Sequence, residues 1–206
     1  CIAYNVPAQE EILIRKQFVH TGSYTPVVGD IPAFVLNPST GTSCEQPILI
    51  GDTAMVVCTV PYGWSTTGIV TEIPKPGWQK TDCPAAPIIP EGSAVFKFCN
   101  EPYGTVRIEK FDGVNGATAP LWDFTVGGNF VAPDGTPYTN PAKADQGTPF
   151  VSDPIGLSTT PVTVAEVLAR SITQCQESGG YYTIATPPAD TVINTPGEVQ
   201  TWTFQN

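Results

Sequence analysis

The sequence predicts an all-β protein made of two tandem antiparallel β-sandwich domains. Three observations carry that expectation. Apolar and polar residues alternate over many short runs rich in β-branched and aromatic side chains, the pattern of strands with one buried face. The 22 prolines and 19 glycines are scattered among the 206 residues without a triplet period, which supplies turns and excludes a collagen-like chain. The order of strand-like segments in the first half also recurs in the second.

Taken along the chain, Glu11 to Val19 alternates around Ile12, Ile14 and Phe18. Ala54 to Val60 and Gly68 to Ile73 are β-branched runs bounded by turn residues, and Ala94 to Cys99 places Phe96 and Phe98 in phase. Thr105 to Phe111 repeats the first pattern with Val106 and Ile108, and Pro161 to Val167 and Thr201 to Gln205 complete the set. The stretch VAEVLARSI, Val164 to Ile172, is the one helix-like segment. It is short, uncapped and preceded by the alternating PVTV, so it reads as strand followed by loop.

The repeat pairs ILIRKQF (12–18) with VRIEKF (106–111), IPAFVL (31–36) with LWDFTV (121–126), and IVTEI (69–73) with TVAEV (163–167). It closes by pairing GSAVFKFCN (92–100) with GEVQTWTFQN (197–206). Lys16 to Glu72 spans 56 positions, and so does Lys110 to Glu166. The expected domains are 11–101 and 102–206, joined at Glu101-Pro102-Tyr103-Gly104. Residues 1–10 contain CIAYN, which reads as the last strand of a preceding domain, as an arm that completes a neighbouring molecule, or as a frayed terminus.

Composition excludes several classes. Nine basic against 19 acidic residues give a net charge of −10, with no basic face for nucleic acid or anionic membrane. No apolar run reaches the length of a membrane span, and the charged and apolar start of a signal peptide is missing, as in a mature form or an excised piece. The single histidine, His20, argues against a His-based metal site and leaves a Ser-His-Asp hydrolase only one candidate base, beside a turn. Nucleophile-elbow, phosphate-loop and zinc-protease motifs are missing, so neither an enzyme nor a cofactor is expected.

Counting by two along the strands aims unusual residues inward. Lys16 falls in phase with Ile12, Ile14 and Phe18, and Lys110 with Val106 and Ile108. Glu72 is in phase with Val70, and Glu166 with Val162 and Val164. Asn100 follows Phe96 and Phe98, and Asn206 follows Trp202 and Phe204. Burial lowers a lysine pKa and raises a glutamate pKa, and a neutral amine beside a carboxamide is a nucleophile beside an electrophile. The product of that encounter is an intramolecular Lys–Asn isopeptide bond, formed once per molecule. The competing reading has both lysines snorkelling from strand edges and both asparagines in turns; the doubled order argues against it.

With Lys16 in IRKQF, Glu72 in VTEIPKPGW and Asn100 in FKFCN, the first half resembles the B-type repeats of Gram-positive collagen adhesins and pilins, a prealbumin-like β-sandwich family. Lys110 in IEKF, Glu166 in VAEV and Asn206 in FQN give the second half the same likeness. The resemblance implies a first-strand Lys joined to a last-strand Asn with the help of a mid-domain acid. It implies a structural role on a cell surface, with neighbouring domains or further copies, head to tail, as partners. The 94-residue offset from Lys16 to Lys110, applied to Asn100, lands on Asn194, whereas the flanking strand pattern selects Asn206.

Six cysteines without a C-x-x-C pair read as disulfides of an oxidising, extracellular compartment. The sequence does not choose among the possible pairings; spacing suits Cys83 with Cys99 as a hairpin staple and Cys44 with Cys58 around a loop, with Cys1 and Cys175 then left to each other or to a neighbouring molecule. Asp112, Asn115 and Asp123 read as a solvated turn sooner than a calcium loop, because EF-hand spacing is absent. Trp122 and Trp202 read as core. Trp64 and Trp78, in Pro/Gly-rich loops, are the candidates for an alternative role as an adhesin module that binds a glycan or a partner protein.

Overall fold

A computed structural model describes residues 8–84, 94–111, 122–139, 142–144, 147–167 and 189–205. The chain is all-β and divides into two compact units, Cys1–Val19 with Thr25–Glu101 and His20–Tyr24 with Pro102–Asn206.

Unit 1 begins with β1 (Gln9–Phe18), whose period-two pattern buries Ile12, Ile14, Lys16 and Phe18 in succession. β2 (Phe34–Asn37), β3 (Ser43–Cys44) and β4 (Ile48–Ile50) lead to β5 (Thr53–Pro61), which buries Ala54, Val56, Cys58 and Val60 on one face. The turn between β4 and β5 is Gly51-Asp52, with Gly51 at φ +56, a conformation glycine adopts without steric cost. A single helical turn, α1 (Trp64–Thr67), precedes β6 (Ile69–Glu72), β7 (Trp78–Lys80) and β8 (Ala94–Pro102). The main sheet runs β3-β5-β1-β8-β7, with β4 also on β5. β2 and β6 pair as a second sheet. Ile12, Ile14, Val56 and Val60 of the first sheet share one core with Leu36 and Val70 of the second, and Phe34, Phe96 and Phe98 pack against it.

Unit 2 repeats this plan. β9 (Thr105–Phe111), β10 (Trp122–Gly128), β11 (Ala142–Ala144), β12 (Phe150–Val151), β13 (Val162–Glu166) and β14 (Val199–Gln205) form two sheets, β11-β10-β13 and β12-β9-β14. Val106 and Ile108 of β9, Trp122, Phe124 and Val126 of β10, and Trp202 and Phe204 of β14 are buried in its core.

The ladders qualify the antiparallel expectation in one respect. Most pairs are antiparallel, but β1 lies parallel to β8 and β9 parallel to β14. A parallel pair needs a long crossover, and here the crossover is the rest of each unit, so the first and last strands end up side by side. Alternation within a strand cannot reveal that, because it is blind to the partner's direction. Of the segment read as strand then loop, the strand stops at Glu166; residues 168–172 lie outside the described residues.

Candidate functional site

The parallel register builds the site in unit 1. Lys16 stands opposite Phe98, and Asn100 opposite Phe18. Lys16 and Asn100 are therefore diagonal neighbours on one face of the main sheet. Glu72, the last residue of β6, reaches them from the facing sheet. All three are buried, Lys16 at 0%, Glu72 at 2% and Asn100 at 3% exposure. The Lys16 ammonium donates to both carboxylate oxygens of Glu72 at 3.0 Å. Asn100 Nδ2 donates to Glu72 Oε1 in a short hydrogen bond. Asn100 Oδ1 is buried and has no hydrogen-bond partner among the described residues. The Glu72 carboxylate thus joins the amine and the carboxamide. Aromatic rings flank the cluster: Phe18 is centred 5.9 Å from Lys16 Nζ, and Phe34 and Phe98 stack at 5.3 Å.

Burial is the largest influence on the Lys16 amine and pulls its pKa from the usual 10.5 down to about 8. The hydrogen bond and charge of Glu72 oppose that fall, and the positive charge of Lys80 adds to it. Roughly a tenth of such amines is free base at pH 7, several hundredfold more than for an ordinary lysine. Because the folded pKa lies below the unfolded one, the unfolded chain binds the proton more tightly. In an Asn100→Ala chain, which lacks the expected acceptor and keeps the Lys16–Glu72 pair, unit 1 is therefore expected to gain stability as pH rises from about 8 toward 10.5. Urea midpoints at pH 7, 8, 9 and 10 check this; a midpoint that falls across that window contradicts it.

Unit 2 presents the same pair. Lys110 is 1% exposed, and its ammonium lies 3.1 Å from both oxygens of Glu166 and 4.6 Å over the Trp122 ring. Lys110 stands opposite Phe204, and the ladder is described as far as Gln205 opposite Phe111. Asn206 lies outside the described residues. Asn194 is exposed ahead of β14, its backbone N–H bonded to Glu198 Oε2 at 3.1 Å.

Two disulfides are present among the described residues, Cys44–Cys58 and Cys83–Cys99. Cys1 and Cys175, the CIAYN segment, Asp112 and Asn115 lie outside the described residues.

Two expectations are corrected. Trp64 and Trp78 are not exposed binding aromatics but are 4% and 6% exposed. The turn α1 folds Trp64 back over the core, where its indole N–H donates to the Pro38 carbonyl at 2.8 Å and its ring meets Phe96 edge-on. Gly68 allows this: a Cβ there would stand 2.2 Å from the Trp64 ring. Trp78 packs on Phe18 at 4.7 Å. Flanking Pro and Gly mark turns, and turns say nothing about which way a large ring faces. Asp123 is likewise no solvated turn; it is buried in β10 and faces Lys143, whose ammonium is 3.2 Å away. No group of residues suited to a metal ion occurs among the described residues.

Sequence reasoning missed the Asp123–Lys143 pair and the bond from Gln79 Nε2 to the buried Glu101 carboxylate at 2.7 Å. It also missed Trp122 against Lys110. The only signal for the first was an acid inside the apolar run LWDFTV.

No protein-family model and no curated protein matches the chain. Among solved structures it is similar to the Bacillus anthracis TIE protein, with 18% identity and a TM-score of 0.31 over 96% of this chain. The chain spans 34% of that protein's length. It is also similar to the major pilin from Streptococcus pyogenes, at 14% identity and TM-score 0.32, covering 97% of this chain and 98% of that one. The shaft pilin spaA from Lactobacillus rhamnosus GG gives 13% identity and TM-score 0.23 over 96% and 98%.

Proposed function

We propose that the chain is an extracellular structural module, a stalk or filament subunit of a bacterial surface protein, and that each unit closes a Lys–Asn isopeptide bond. The observation that carries this reading is the buried carboxylate of Glu72 holding Lys16 and Asn100 at once. Proton transfer within the pair turns ammonium and carboxylate into amine and carboxylic acid; burial of Lys16 makes this neutral amine, the minor form at pH 7, easier to reach. Rotating the Asn100 amide by half a turn brings its carbonyl oxygen to the acid proton. The Lys16 Nζ lone pair then attacks Asn100 Cγ. Glu72 carries the proton lost by Nζ to Nδ2, the Cγ–Nδ2 bond breaks, and ammonia leaves. Glu72 ends as the acid and returns to carboxylate by giving that proton to the departing ammonia, so the unit acts once on itself and is no turnover enzyme.

Counted along the sequence, Asn206 follows Phe204 by two residues, as Asn100 follows Phe98, and it is the acceptor assigned to Lys110. The two disulfides suit an oxidising compartment. Neighbouring domains or further copies, set head to tail, are the partners such a module needs.

Intact mass of the reduced chain tests the reading. Each bond removes about 17 Da as ammonia through the lysine attack. A deficit of about 34 Da is expected; a reduced mass equal to that of the sequence overturns the proposal.

A further inference from the structure

We propose that the Cys83–Cys99 disulfide is a positioning device for the first cross-link, setting Asn100 against Glu72 before the bond closes; the inference rests on the isopeptide reading above. Cys99 immediately precedes Asn100 on β8. Besides the pairing of β7 with β8, three ties fasten this end of β8 to the segment that follows β6: the disulfide itself, the Thr81 N–H on the Cys99 carbonyl at 3.0 Å, and Gln79 on Glu101 at 2.7 Å. That segment starts directly after Glu72, the last residue of β6, so the ties link the chain beside the acid to the chain beside the acceptor.

The chain lengths give the effect a size. Glu72 and Asn100 are 28 residues apart along the backbone. Through the disulfide, the path is 11 residues from Glu72 to Cys83 and one from Cys99 to Asn100. Encounter probability falls with about the −3/2 power of the connecting length, so the shortcut raises it roughly three- to fourfold. Cys44–Cys58 serves as the internal comparison. It closes a loop of nearly the same size, 14 residues against 16, so the two bridges stabilise the fold similarly. Yet it lies between Lys16 and Glu72, which are 56 apart, and shortens that path only by its own 14 residues. The same power law gives roughly 1.5-fold.

Unit 2 supplies a second comparison. The register sets Cys99 opposite Gln17 and Gln205 opposite Phe111, one step beyond the residue facing each lysine. Gln205 therefore holds the Cys99 position, and the second site has no such staple at its last strand. Forming the bridge in unit 1 transfers two electrons and two protons from the thiols to a disulfide oxidant, which links the first bond, and not the second, to an oxidising compartment.

The test follows bond formation during cell-free synthesis of the 206-residue chain in oxidised glutathione buffer. Samples are quenched in acid, digested, and the two cross-linked peptides are quantified separately by mass. Cys83→Ala with Cys99→Val, which keeps the buried position apolar, is compared with Cys44→Ala with Cys58→Val. Rates are divided by the folded fraction read from tryptophan fluorescence, so a simple loss of fold is removed. The expected result is at least a threefold slower Lys16–Asn100 bond in the first variant, less than twofold in the second, and an unchanged second site in both. Equal slowing by the two variants, or none, overturns the positioning role. A parent chain that forms neither bond overturns the isopeptide reading itself, and this proposal with it.

Discussion

Glu72→Gln is expected to leave Lys16 and Asn100 unjoined while the second site still closes, so the reduced chain shows one deficit of about 17 Da in place of two. Gln preserves size and can still accept a hydrogen bond, but it cannot carry a proton from Nζ to Nδ2. The loss of the bond has a large stability consequence. A link between residues 16 and 100 closes a loop about as long as the unit, and chain-entropy arguments give on the order of 4–5 kcal/mol for such a closure. For a domain of this size that corresponds to a fall in Tm on the order of 20 °C. Gln also removes the counter-charge of a buried amine, so Asn100→Ala, which keeps the Lys16–Glu72 pair, isolates the loss of the bond. Mass spectrometry and calorimetry of both variants check the two statements. A Glu72→Gln chain that still lacks ammonia at the first site removes Glu72 from the chemistry.

Much of this site could be read before any coordinates, because period-two alternation is a direct statement about faces. Lys16 shares a phase with Ile12 and Ile14, and a lysine in that phase must be buried or snorkel; the structure buries it. What alternation lacks is direction and partner. It could not show that β1 and β8 run parallel, although that register makes Lys16 and Asn100 diagonal neighbours. It also failed at Trp64, where composition around the residue spoke for a loop and the single turn α1 returned the ring to the core. Asp123 failed for a related reason: it shares the phase of the exposed Thr125, yet it is buried between Trp122 and Phe124, so alternation placed it on the wrong side. The short strands β3, β4, β7, β11 and β12 span only two or three residues each, one alternation at most, too little for a periodic signal.

Pulling on unit 1 from its ends is expected to produce no extension of the chain between Lys16 and Asn100. With the proposed Lys16–Asn100 bond in place, the parallel pair sends tension applied at Gln9 along β1, across that bond, and out through the last residues of β8. Residues 17 to 99 lie beside this path and carry no force. In Asn100→Ala the same tension must shear β1 from β8 and then unravel the interior. That interior is about 83 residues at up to about 3.6 Å each, so the released length is on the order of 300 Å. Both disulfides lie inside this segment, and they hold back 14 and 16 residues. Under oxidising conditions the variant should therefore extend about 100 Å less than after reduction, by the same per-residue length. In the linked chain reduction should change nothing, because neither disulfide is in the path. Single-molecule force spectroscopy of the two chains, with and without reductant, reads all four lengths. A parent chain whose unit 1 lengthens by 200 Å or so before rupture shows that its first and last strands are not covalently joined, and with that the mechanical role fails.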